Sequence, residues 1–247
     1  MPEVDLEYRP NVSILVACHN EALVVGSLVR GLAALHYPRS RLEVVLVDDG
    51  SDDGTAEEAR AHGADVVLGW RQQRGAGAAI RAGWRCGIER GRPLLALIGG
   101  DYQHEGADLV PALEMLLASG ADYVQGSRLR PGGRIIRSTR TRRITMTLYS
   151  ALVSALARRR VTDASNGFRL LRAEVLADPT INLDQDWLDE WALEPYVLFK
   201  ALRRHRVVEV PVTVRFHGPP TTSIPDRVWE WARLIAPVMM LAARVRR

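Results

Sequence analysis

Lysine is almost missing from this chain. Lys200 stands alone among 33 basic residues, and all the others are arginines. The formal net charge is only +4, so the bulk charge is a mild bias. Arginine forks suit bidentate anion binding, phosphate above all. Cysteine is equally scarce: Cys18 and Cys86 are far apart, with no metal-type spacing. That excludes a disulfide framework and points to a reducing compartment. Aromatic residues make up 6% of the chain and do not interleave with the arginines, and no nucleic-acid module is present. Nucleic acid is therefore excluded as a partner. No apolar run reaches the roughly 20 residues that span a bilayer. The longest candidate, 234–243, is short and contains Pro237, and residues 1–10 are acidic and polar, unlike a secretory leader. The expectation is a cytoplasmic protein, free or peripheral on the cytoplasmic membrane face.

What is present is regular alternation. Apolar β-type runs at 12–17, 42–47, 65–68, 93–98 and 122–125 alternate with helical patterns at 21–35, 55–61, 77–89 and 107–119, with Asn20 as a possible first cap. Short strand–helix alternation predicts an α/β fold with a mostly parallel, Rossmann-like sheet flanked by helices. The second half predicts a helix over 141–158, a short strand over 168–171, a helix over 187–204 and a strand over 207–214. An amphipathic helix with Trp229 and Trp231 near its start closes the chain at 226–244. The expected division is a domain over 1–225 followed by a C-terminal helix over 226–247 that contacts a membrane or partner.

Ligands of open parallel sheets bind at the carboxyl ends of the strands. Three strands end there in polar clusters: Cys18-His19-Asn20-Glu21, Asp48-Asp49-Gly50-Ser51-Asp52-Asp53-Gly54-Thr55, and Gly99-Gly100-Asp101-Tyr102-Gln103-His104. One such cluster reads as a turn; three at one edge read as a site. Asp48 and Asp49 can accept from a base NH and ribose hydroxyls, while Asp101 and Gln103 offer hard oxygens to Mg²⁺ or Mn²⁺. Gln73-Arg74-Gly75-Ala76-Gly77 opens a helix; its glycines are expected to admit a ligand closely, with Arg74 on phosphate. A dinucleotide fingerprint is excluded, since its third glycine position is Ile80.

In order and spacing these blocks resemble the family 2 glycosyltransferases of GT-A fold, and most closely their polyprenol-phosphate mannose synthase branch. The likeness runs over residues 11–225 and includes Gly126-Ser127-Arg128, Asp163-Ala164-Ser165-Asn166-Gly167-Phe168-Arg169 and Val208-Glu209-Val210-Pro211-Val212. It implies an inverting transferase that takes a sugar from a nucleotide sugar such as GDP-mannose, with Mg²⁺ or Mn²⁺, to a lipid-phosphate acceptor at a membrane surface. It places the nucleotide at Ala17, His19, Glu21, Asp48, Asp49, Arg74, Gly75, Gly100 and Asp101, and the metal at Asp101 and Gln103. Arg128 serves transfer and the acceptor phosphate.

Three departures stand out. The metal motif's first aspartate is Gly99, the usual proline and tyrosine are Ala17 and His19, and 218–223 holds no lysine, which leaves Arg215 or His217 to meet the phosphates. A phosphate acceptor needs no strong base. A hydroxyl of a soluble glycan or natural product needs one, and Asp189, Glu190 and Glu194, expected on one helix, are the candidates. A degenerate homologue that binds nucleotide without turnover is the further alternative. The arginines at 128–143 lie beside a helix with Ile144, Leu148, Leu152 and Leu156 on one face, a pattern suited to anionic lipid.

Overall fold

The computed structural model describes residues 9–104, 106–216, 235, 236, 238–240 and 243. The sheet begins with β1 (Val12–Cys18), β2 (Leu42–Asp48), β3 (Val66–Gly69) and β4 (Leu94–Gly99), and continues with β5 (Tyr123–Ser127), β7 (Arg169–Arg172) and β8 (Val207–Pro211). Their spatial order is β3-β2-β1-β4-β7-β5-β8. Every neighbour pair is parallel except those of β7, which runs antiparallel to β4 and β5. Strand side chains alternate between faces, so β1 sends Leu15 to one core and Ile14 and Val16 to the other. Helices α1 (Ala22–Ala33), α2 (Thr55–Ala61) and α4 (Leu109–Ser119) cover the second face. Helices α3 (Ala76–Glu89), α5 (Arg140–Ala157) and α7 (Leu193–Arg204) cover the first. A short α6 (Ala173–Leu176) follows β7. The mostly parallel α/β sheet is thus as expected.

Four local expectations fail for physical reasons. The single strand over 207–214 is two: Pro211, which has no N–H to donate, ends β8, and after Val212 the chain enters β9 (Thr213–Arg215). β9 pairs in parallel with β6 (Arg134–Ile136), a three-residue strand hidden by the arginines around it. The helix over 187–204 starts only at Leu193, after a 3-10 turn at Asp186–Leu188. The carbonyls of Asp189 and Glu190, which a longer helix would use internally, instead accept from Ala78 N (3.0 Å) and Gly77 N (2.8 Å). Asn20 does not cap α1; it sits at φ 56° and accepts from Asp52 N. The cap comes from the second cluster, because Ala22 N donates to Asp53 Oδ2 (3.0 Å) and Glu21 N to Thr55 Oγ1 (2.8 Å). Of the closing helix over 226–244, residues 235, 236 and 238–240 are helical, with Val238 buried in the first core, and the rest lies outside the described residues.

The contact between α3 and 188–190 explains the glycine segment. A Cβ at Gly77 would lie 1.8 Å from the Leu188 carbonyl oxygen, and one at Gly75 would lie 2.4 Å from that of Asp189. These glycines admit the protein's own backbone, a role the sequence reading did not assign to them. Gly77→Ala is expected to cost about 3 kcal/mol or more in urea unfolding, because backbone must move. Gly31→Ala, on α1 with nothing within 4 Å of the added carbon, should instead stabilise by about 0.5–1 kcal/mol.

Candidate active site

The carboxyl ends of β1, β2 and β4 open into a cleft of ≈ 860 Å³, a size suited to a small organic ligand. It gathers Ala17, His19, Glu21, Asp49, Arg74, Gly75, Gly100, Asp101, Gln103, Arg128 and Glu190 from the sequence candidates. Three others stay out. Asp48 accepts from Ser51 N (3.0 Å) and Ser51 Oγ and closes its own turn. The Asp189 carboxylate pairs with Arg81 at 2.5 Å, behind the cleft wall. Arg215 is exposed on β9, while its neighbours Val214 and Phe216 face the cleft, as strand alternation requires. His217 lies outside the described residues.

The first two clusters brace each other. Asn20 N donates to Ser51 Oγ (2.9 Å) and His19 Nδ1 bonds the Asp49 carbonyl oxygen (2.8 Å), while within the second cluster Thr55 N donates to Asp53 Oδ1 (3.0 Å). Asp49 alone of this acidic run reaches the cleft. Its Oδ1 accepts from Trp70 Nε1 and Arg74 N, both at 2.7 Å, and its Oδ2 from Gly75 N at 3.0 Å. A carboxylate has about four acceptor positions, so one on Oδ2 remains for a ligand. The Arg74 guanidinium stacks over Trp70, 4.9 Å from the ring centroid. Gly100 has a packing reason as well: its N–H reaches the Ala17 carbonyl oxygen (3.1 Å), and a Cβ would strike Cys18 Sγ at 2.3 Å.

Arginines from the second half of the chain also line the cleft, and sequence reasoning found only part of them. Arg128 is buried and forks onto Asp163, Nε to Oδ2 at 2.6 Å and Nη2 to Oδ1 at 2.8 Å. Burial pushes the Asp163 carboxyl up, but the Arg128 charge and hydrogen bonds outweigh it and hold the group below its ordinary value. Arg142 stacks over Phe216, 3.9 Å from the centroid. Arg169 is fully buried, with its Nε 3.2 Å from Glu194 Oε1 and Nη1 donating to Tyr123 Oη (3.1 Å) and the Glu194 carbonyl oxygen (2.7 Å). Burial raises Glu194, and Arg169 offsets only part of that. Glu190 sits exposed at the rim beside Trp191, which is 45% exposed. Arg142, Tyr149, Arg169 and Trp191 line the site without having been singled out for it. The Asp163–Arg169 block carried a signal, since two arginine or carboxylate partners buried together mark a site as much as a core.

The floor lies under β4. Asp101 Oδ1 accepts from Gln103 N at 3.2 Å. Beside it, His104 Nε2 bonds Asn166 Oδ1 at 2.7 Å, and His104 Nδ1 is buried with no hydrogen-bond partner. Burial lowers the His104 pKa more than nearby Asp101 and Asn166 raise it. Among the described residues no group of three or more His, Cys, Asp or Glu forms a ready-made metal cage. A cation here would draw on Asp101, the Gln103 amide and ligand oxygens, the pattern Mg²⁺ and Mn²⁺ adopt with phosphates.

Residues 13–178 match the profile of glycosyl transferase family 2. The chain is 31% identical over 210 residues to the undecaprenyl-phosphate mannosyltransferase of Micrococcus luteus, covering 82% of each protein. It is 29% identical over 220 residues to the polyprenol monophosphomannose synthase of Mycolicibacterium smegmatis, covering 81% of this chain and 76% of that one. The fold superposes on glucosyl-3-phosphoglycerate synthase from Mycobacterium tuberculosis, solved with Mn²⁺, UDP and glucosyl-3-phosphoglycerate. The TM-score is 0.71 at 18% identity, with 96% of this chain and 81% of that one covered. The GT-A architecture expected from the resemblance is the one present.

Glu21 generates a pH prediction. Burial first, then the charges of Asp101 and Asp53, push its carboxyl up to about 7. The folded state therefore holds this proton more tightly than the unfolded chain, and stability falls as pH rises from about 4.5 through about 7. Above that window Glu21→Gln should be more stable than the parent by about 1 kcal/mol, after allowance for solvent screening at a half-buried site. At pH 4.5 the two should melt together. Thermal unfolding of both proteins across pH 4.5–8.5 checks this.

Proposed function

Because the chain belongs to glycosyl transferase family 2 and is a glycosyltransferase, we propose that it moves a hexose from a nucleoside diphosphate sugar, of the GDP-mannose kind, to a polyprenyl-phosphate-type lipid acceptor. The observation that carries this reading is the cleft's polarity. Asp49, Glu21 and Asp101 line the cleft at the ends of β2, β1 and β4, and Arg128, Arg169 and Arg142 line it from the end of β5, the start of β7 and α5. A donor diphosphate and an acceptor phosphate are both anions, and they need separate, differently built seats. The free acceptor position on Asp49 Oδ2 suits a base NH or ribose hydroxyl, and Arg74 N–H groups beside it suit the diphosphate. Asp101 and Gln103 would hold Mg²⁺ or Mn²⁺, which when bound neutralises charge that grows on the leaving diphosphate.

On the arginine wall the acceptor phosphate is already anionic and needs no base; these guanidiniums hold and orient it behind the anomeric carbon. Arg128 keeps its fork on Asp163, so its contribution is an ordered positive edge rather than a mobile clamp. Lipid delivery fits α5. Its core face carries Met146, Tyr149, Val153 and Ala157, while Ile144 and Leu148 point outward, 59% and 64% exposed. Exposed arginines at 140 and 143 start this helix and others at 158–160 follow it, the composition of a peripheral contact with anionic lipid. Among the described residues no helix is long and apolar enough to cross a membrane. The cytoplasmic membrane face is the location this reading implies, and residues 226–247 would add to the contact.

A second reading, a hydroxyl acceptor, is favoured by one observation: the raised carboxyl of Glu194 and the rim carboxylate of Glu190 lie within the cleft. Transfer of labelled mannose from GDP-mannose to polyprenyl phosphate, with Mg²⁺ or Mn²⁺, is the direct assay. Under the phosphate reading Glu190→Gln changes the rate by no more than about twofold. Failure of transfer to polyprenyl phosphate, together with transfer to a glycan hydroxyl that Glu190→Gln slows about a hundredfold, within the usual range for a lost general base, assigns the hydroxyl reading instead. For the lipid contact, Ile144→Ser with Leu148→Ser should cut transfer to long-chain acceptor in anionic vesicles about tenfold and leave transfer to a short soluble polyprenyl phosphate unchanged. Equal loss on both acceptors would remove α5 from the membrane interface.

A further inference from the structure

Position 99 lacks a ligand side chain, and what surrounds the gap is specific. A Cβ built on Gly99 would lie 3.1 Å from Asp101 Oδ1 and 3.9 Å from His104 Nδ1. The space that one methyl group would fill is therefore bordered by a carboxylate oxygen and an imidazole nitrogen. His104 is 8% exposed, and its Nδ1 is without a partner. Such an orphan in a folded interior calls for a reason.

Its chemistry is fixed by the far side of the ring. Asn166 Oδ1 accepts from Phe168 N at 2.8 Å, and a backbone N–H can only donate, so the amide oxygen must face that way. The same oxygen meets His104 Nε2 at 2.7 Å. Nε2 therefore carries the proton and donates, and in a neutral ring Nδ1 is left with a bare lone pair. A second atom holding the other nitrogen in place is the arrangement that orients metal-bound histidines.

We propose that His104 Nδ1 is a nitrogen ligand for the divalent cation held at Asp101, in place of the oxygen ligand that Gly99 does not supply. This rests on the nucleotide-sugar reading above and deepens it. A mixed nitrogen and oxygen set turns metal preference away from Mg²⁺, which demands oxygen, and towards Mn²⁺ and later first-row metals, which accept imidazole.

Pulsed electron paramagnetic resonance of Mn²⁺ bound to the full chain with GDP, and separately with UDP, tests the assignment. The expected spectrum shows nitrogen coupling to Mn²⁺ that changes from ¹⁴N to ¹⁵N when only histidine is ¹⁵N-labelled, which separates it from nitrogen of the base. His104→Gln should abolish that coupling and weaken Mn²⁺ binding at least about tenfold, with metal-free GDP or UDP binding unchanged. Gly99→Asp keeps His104 and restores an oxygen donor, so it should raise Mg²⁺ affinity relative to Mn²⁺. Bound Mn²⁺ with no histidine coupling overturns the proposal and leaves the nucleotide reading intact. Absence of any binding of GDP or UDP, with or without metal, overturns both.

Discussion

Two backbone hydrogen bonds fix where the second half of the chain meets α3. The amides of Gly77 and Ala78, at the start of α3, are met by the carbonyls of Glu190 and Asp189. Amides at a helix start otherwise lack partners, and here the second half of the chain supplies them. The approach is possible only because Gly75 and Gly77 have no side chains, since any Cβ would overlap the carbonyls. The seam delays the start of α7 to Leu193 and holds Glu190, Trp191 and Glu194 over a cleft whose other wall comes from the first half. Arg81 with Asp189 reinforces it from behind.

The seam also shows where reading a sequence stops. Strand ends, their polar clusters and the parallel sheet were legible, because period-2 and period-3.6 patterns and turn residues are local properties. The partner of a glycine is not local. Gly75 and Gly77 read as a place for close ligand approach and also form a packing surface, and nothing near residue 77 names residue 188. The same holds for the acidic run at 48–53. Asp48 and Asp49 were equivalent on paper, yet Asp48 holds a turn and only Asp49 faces the cleft. Arg169 and Arg142 were hidden differently, since a buried arginine and a solvated one are written with the same letter.

Most carboxylates around the cleft are thus framework before they are chemistry. Asp163 fixes Arg128, Asp53 caps α1 from another loop, and Asp49 ties the segment 70–75 to the end of β2. Pre-organisation of this kind lets a polar site act without rearranging when charge develops. Glu21 and Asp101 stand apart because burial, and then the Asp101 charge, raise the Glu21 pKa rather than lowering it. They are the part of the strand-end wall that gains most from an added positive charge.

The arginine wall has one more consequence. Guanidinium does not release its proton in any medium a cell tolerates, and no lysine stands in this cleft. Acidification can therefore alter only the carboxyls and the two imidazoles, His19 and His104, so the cavity's charge drifts in a single direction: more positive as protons accumulate, never less. An anion would meet the same cationic landing surface throughout, while the repulsion from Glu21 fades as pH falls through about 7.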